Sequence, residues 1–207
     1  MFKTIPVTLA VIGFAASALP AQTILAPDTF KVNYYSNANS FASCTVGPCA
    51  DLTDGTVRIT NVGTQIGSKA DPSGYLVAGV FVLEPDQQLA ECCFFVLSPD
   101  ALLTLSINND LTSNPLTPVT LTTGDIKMVG FTPLSSFASH TEVAGLRAWA
   151  THLQNDGSLT ETEFTDSTLS TGELNQLLNK CKSIETNGSG FGICGGGVGE
   201  AVAASFK

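Results

Sequence analysis

Three carboxylates crowd the stretch TETEFTDS: Glu161, Glu163 and Asp166. On an extended strand, residues two apart share a face, so Glu161 and Glu163 would stand side by side, as the paired acids of a retaining glycosidase must. A solvated strand face accounts for the same acids without any chemistry. A second oxygen-rich set comprises Asp51 with Asp54, Asn108 with Asp110, and Asn155 with Asp156, residue types that suit calcium in an exported loop. None of these is a complete site by spacing. Setting Asp156-Gly157 in the EF-hand frame places Leu159 and Glu163 correctly, but His152 and Gln154 then occupy the first two ligand positions, and ordinary turn chemistry explains the acids equally well.

Nucleophilic catalysis has little to work with. The chain holds two histidines, His140 in the polar run SSFASHTE and His152 on a strand face shared with Leu146, Ala148 and Ala150, and it lacks a G-x-S-x-G elbow. Both histidines read as structural or surface residues. The glycine-rich tail NGSGFGICGGGVGE has neither the strand-loop-helix setting nor the lysine of a phosphate loop.

Six cysteines are present: Cys44, Cys49, Cys92, Cys93, Cys181 and Cys194. An even count in an exported chain argues for disulfides, and the close C-x-x-C spacing of a zinc site is missing. Cys181 closes a predicted helix and Cys194 sits in the tail, so a bond between them would pin an otherwise loose end. Cys92 and Cys93 point to opposite faces of a strand, so each should find a separate partner, with Cys44 and Cys49 available. Bridging about 45 positions removes far more unfolded-chain entropy than bridging neighbours. The rival arrangement joins Cys44 to Cys49 across Gly47-Pro48 and leaves Cys92 and Cys93 as a vicinal pair.

The elements that must position these groups are mostly strands. Leu76 to Leu83 and Leu89 to Leu97 flank Glu84, Pro85, Asp86 and Gln87, a type I turn pattern, and after Ser98-Pro99-Asp100 a third run reaches Asn108. This reads as a three-stranded antiparallel meander whose first two strands, apolar on both faces, are central and covered on each side. Thr56 to Val62 alternates, with Val57 and Ile59 inward and Arg58 and Thr60 outward. Further strands are expected at Phe30 to Tyr35, Ile126 to Phe131, Gly145 to Leu153 and Leu159 to Thr165. Asn108 to Gly124, rich in Thr and Pro, reads as a long connection with at most an edge strand. One helix is expected over 171–184, with Ser170 and Glu173 as a capping box and Leu174, Leu177, Leu178, Cys181 and Ile184 at helical spacing.

At the N-terminus, Lys3, the apolar run Ile5 to Leu19 and the small residues through Ala21 have the layout of a secretory signal peptide, cut after Ala21 or Ala18. Residues 1–21 are therefore set apart, and 22–207 read as a single domain. No later segment is apolar for long enough to span a bilayer. The net charge of -9 disfavours nucleic acid as a partner, and with only 13% charged residues the surface must rest on Ser, Thr, Asn, Gln and Gly.

The stretches AECCFFVLSPDALLTLSINNDLTSNPLT, GLRAWATHLQ and LTETEF resemble a group of exported bacterial proteins of unassigned function. The resemblance implies export and adds no catalytic residue. A more distant likeness links the acids of TETEFTDS to the E-x-D-x-x-E strand of some sandwich-fold glycoside hydrolases, with the middle and last acids exchanged and a single Trp available to stack on sugar.

The expected molecule is mostly all-β: an antiparallel β-sandwich with one packed C-terminal helix, disulfides and a glycine-rich tail. It is expected outside the cytoplasm, in the periplasm or beyond, as a structural or binding module without a cofactor unless calcium binds. Its partner would be a second copy of itself, an extracellular protein or a glycan. A secreted glycan-acting hydrolase is the alternative.

Overall fold

The computed structural model describes residues 28–36, 54–64, 74–112, 122–133, 141–154 and 158–186. Within them run β1 (Phe30–Ser36), β2 (Thr56–Asn61), β3 (Leu76–Leu83), β4 (Leu89–Leu97), β5 (Leu102–Ser106), β6 (Thr123–Phe131), β7 (Leu146–Leu153), β8 (Leu159–Glu163) and β9 (Thr165–Asp166). A π-helical turn at Ile107–Leu111 follows β5, and helix α1 (Thr171–Thr186) closes the described chain. The strands form two antiparallel sheets, β4-β3-β6-β1-β9 and β5-β2-β7-β8.

The inward residues of both sheets meet in one apolar core: Val57, Ile59, Ala148 and Ala150 from the smaller sheet, Leu76, Ala78, Val80, Val82 and Phe95 from the larger. The other face of the larger sheet carries Val77, Phe81, Leu83, Phe94 and Phe131 and is covered by Leu174, Leu177 and Leu178 of α1. Burying each such side chain stabilises the fold by about 1.5 to 3 kcal/mol. Every residue of β3 is therefore buried, which explains its unbroken apolar sequence. Gly79 is part of this packing, because a Cβ there would stand 2.6 Å from the Phe131 ring.

Local chemistry places the turns and the cap as expected. Gln87 N donates to Glu84 O at 2.9 Å across Pro85-Asp86. Glu173 N donates to Ser170 Oγ at 3.1 Å at the start of α1. The Glu173 carboxylate does not complete a reciprocal capping box with Ser170; it pairs with Lys127 Nζ.

Four expectations are corrected. The three-stranded meander does not form, since β3 and β4 pair with each other while β5 pairs with β2 in the other sheet. The cause lies at Asp100, whose positive φ of 62° turns the chain and whose amide donates to Asn61 O at 2.8 Å. β4 is not central: it ends the sheet order among the described residues, and the helix and the facing sheet bury it. The strand expected over Leu159 to Thr165 is broken at Phe164, whose amide donates to Ala148 O while Thr165 and Asp166 cross to pair with β1.

The fourth correction concerns the disulfides. Cys181 is bonded to Cys92, 89 positions away in sequence, and not to Cys194; Cys92 is thus joined to neither Cys44 nor Cys49. The reason is the sheet face: Cys92 points to the helix side, where it meets Cys181, and Cys93 points into the core between the sheets. Cys93 is also disulfide-bonded, so the adjacent cysteines have separate partners and the vicinal pair is excluded. Cys44, Cys49 and Cys194 lie outside the described residues.

Candidate functional site

The outward face of the smaller sheet gathers two of the three expected carboxylates together with Arg58 and Trp149. Strand register aligns Thr104 of β5, Arg58 of β2, Trp149 of β7 and Glu163 of β8 in one row across the sheet. Directly opposed residues on antiparallel strands share a face, so these four side chains are neighbours. The adjoining row contains Glu161 opposite Thr151, with Thr56 N donating to Thr151 Oγ1 at 2.6 Å. Glu161 accepts from Arg58 Nη1, a pair whose side chains are 47% and 40% exposed. All five residues of β8 are exposed, while Trp149 and Arg58 are half-buried by the sheet.

Of the three expected carboxylates, the structure thus brings together Glu161 and Glu163 and separates Asp166. Asp166 belongs to β9 in the larger sheet, where it accepts from Lys31 Nζ. The Lys31 side chain is only 3% exposed and is also held by Asp28 Oδ1 at 2.6 Å. Arg147 joins the same carboxylate. Burial acts to raise the Asp28 carboxyl, but its bonds and charge attraction to Lys31 and Arg147 outweigh burial and hold it below the ordinary 3.8.

Two of the calcium candidates share one corner. Asp54 accepts from Ser106 Oγ and from Asn108 N at 3.2 Å, and Asp110 Oδ2 accepts from Ser106 N at 2.6 Å. These bonds cap the π-helical turn, and among the described residues no group of three or more His, Cys, Asp or Glu is arranged to hold a metal ion. Asp51, Asn155, Asp156 and His140 lie outside the described residues. Near Asp110 is a group that sequence reasoning passed over. Glu91 is only 1% exposed, and burial, reinforced by the Asp110 charge, pushes its carboxyl up to about 8. The available signal was a single acid at the head of the apolar run AECCFFVL.

His152 is a buried structural residue, fully enclosed, with Nε2 2.7 Å from Thr162 Oγ1 and its ring stacked on Tyr34 at 3.9 Å. Burial lowers its pKa, so the ring is carried neutral. A cavity of about 580 Å³ at the start of α1 is lined by charges of both signs, including Asp125, Lys127, Glu173 and Lys180. Among the described residues no helix is long and apolar enough to cross a membrane.

No family model, curated protein or solved structure matches the chain.

Proposed function

We propose that this protein is an exported binding module, a two-sheet sandwich braced by disulfides, whose smaller sheet presents its outward face to a glycan. The observation that carries the reading is the row Thr104, Arg58, Trp149 and Glu163. An indole offers an apolar plane for the C–H face of a sugar ring, and the guanidinium, carboxylate and hydroxyl beside it donate to and accept from sugar hydroxyls. The small share of charged residues, 13%, supports a neutral rather than a strongly ionic ligand.

Calorimetric titration of the mature chain against a panel of neutral polysaccharides tests this. Binding that weakens at least about tenfold in Trp149→Ala is expected, a loss of about 1.4 kcal/mol. Binding unaffected by that substitution, or no binding to any glycan, would sink the proposal. The hydrolase alternative keeps one favourable observation, the shared face of Glu161 and Glu163. It requires release of reducing sugar that Glu161→Gln or Glu163→Gln abolishes. Self-association is read by size-exclusion chromatography with light scattering, where a monomer at high concentration argues against assembly. Mass measurement of the exported chain, expected to begin at Gln22, tests the signal peptide.

A further inference from the structure

Glu91 stands at an irregular point of the larger sheet. In the pairing of β3 with β4, Val82 faces Glu91 but Leu83 faces Leu89, so Ala90 is an extra residue and the ladder is bulged there. Both Glu91 carboxyl oxygens are buried and have no hydrogen-bond partner. An ionised carboxylate in that position would have neither water nor a donor, a state that costs several kcal/mol unless it is neutralised. Among the described residues, the neighbours that act on it supply no counter-charge. Opposite it on β3 is apolar Val82. The charge acting on it from the π-helical turn is that of Asp110, also negative, and Asp54 lies beyond, joined to the same corner through Ser106.

We propose that Glu91 is a proton-operated latch: with its proton it lets the start of β4 close against the core, and without it that segment is released. The extent of release is set by covalent anchors. Cys92 is bonded to Cys181 on the helix, and Cys93 carries its own disulfide, so the strand is tied immediately after Glu91. Movement is thereby confined to the turn at Glu84 to Gln88 and to Leu89, Ala90 and Glu91, where the bulge already interrupts the ladder. The raised carboxyl places the change near pH 8. A bound cation is the competing way to neutralise the group, and it would leave a different signature.

Hydrogen exchange by mass spectrometry of the intact, oxidised chain at about pH 6 and about pH 9, corrected for intrinsic rates, tests the latch. Peptides spanning 84–91 should lose protection by about tenfold or more at the higher pH and approach the exchange of an open segment, while β6 and β7 stay protected, and Glu91→Gln should abolish the difference. An equal loss in Glu91→Gln, or no loss in the wild-type chain, overturns the proposal. So does restoration of protection at about pH 9 by calcium chloride in the wild type alone, which would make the carboxylate a cation ligand. If the variant does not fold, infrared spectroscopy of the wild type decides. A protonated-carboxyl stretch that persists at neutral pH and disappears through about pH 8 supports the latch, and its absence at neutral pH refutes it.

Discussion

The two sheets share one core but differ in what lies on their outer sides. On the larger sheet the outer face is covered by α1, so β3 reads LVAGVFVL with every residue buried. On the smaller sheet it faces solvent, so β2 reads TVRITN with strict alternation of half-exposed and buried positions. Covered positions are fixed by volume and by a disulfide, and each change there removes contacts that nothing can replace. Open positions are constrained mainly to be soluble, which leaves room for Arg58, Trp149, Glu161 and Glu163. The candidate chemistry therefore collects where the fold asks least of the side chain.

Replacing both Cys92 and Cys181 by Ala should have the largest effect, since the bond closes a stretch of 89 positions. The chain-entropy account assigns such a loop about 4.6 kcal/mol. Leu174→Ala, beneath the same helix, should cost about 2 to 5 kcal/mol. Trp149→Ala on the open face should cost less than either in the same denaturant titrations. If it costs as much, the contrast between covered and open faces is wrong.

The next effect compares two buried titratable groups with opposite signs. Glu91 is raised from 4.5 to about 8, so the folded chain holds a proton that the unfolded chain releases. Its contribution is complete below pH 4.5 and is lost as pH rises towards 8; by pH 7 the loss is roughly 3 kcal/mol. His152 is lowered from 6.5 by burial, so its contribution is present above that value and is lost as pH falls through the lower folded value. Glu91→Gln should remove the decline towards neutral pH, and His152→Gln should remove part of the decline on the acid side. Unfolding midpoints measured from about pH 4 to about pH 9 would check both, and coincident profiles for Glu91→Gln and wild type would contradict the burial argument.

Much of this organisation is legible in the residues themselves. Apolar runs bounded by Pro85-Asp86 and Pro99-Asp100 delimit β3 and β4, and Ser170 with the leucines that follow delimits α1, because period and turn chemistry are local properties. Assignment of β5 to the other sheet depends on one positive φ at Asp100 and its bond to Asn61, a contact made across the fold. Pairing of Cys92 with Cys181 was hidden for the same reason. Opposite facing of Cys92 and Cys93 follows from strand geometry, but which face the helix covers does not. The pairing of Glu161 with Glu163 was readable from their spacing, whereas the loss of Asp166 to another sheet required the break at Phe164. Glu91 was missed because an acid in a strand ordinarily marks an exposed position, and here it pairs with Val82 on the face between the two sheets.

The smallest expected effect concerns the ion pair on the open face. Arg58 and Glu161 lie on different strands with side chains 40% and 47% exposed, so water and salt screen their attraction, and ordering two long side chains offsets part of the gain. A double-mutant cycle with Arg58→Ala, Glu161→Ala and the combined variant should yield a coupling of about 0.2 to 1 kcal/mol in low salt. The coupling should fall as salt is added, because the two groups are solvated in the isolated chain. Burial of that face against a second copy would instead desolvate the pair, and removing one partner would then cost about 3 kcal/mol or more. The cycle therefore reports on the state of the face as well as on the pair. A small, salt-sensitive coupling at low and high protein concentration leaves the surface open for a ligand, whereas a coupling that grows with concentration assigns it to self-association and removes the basis for glycan binding there.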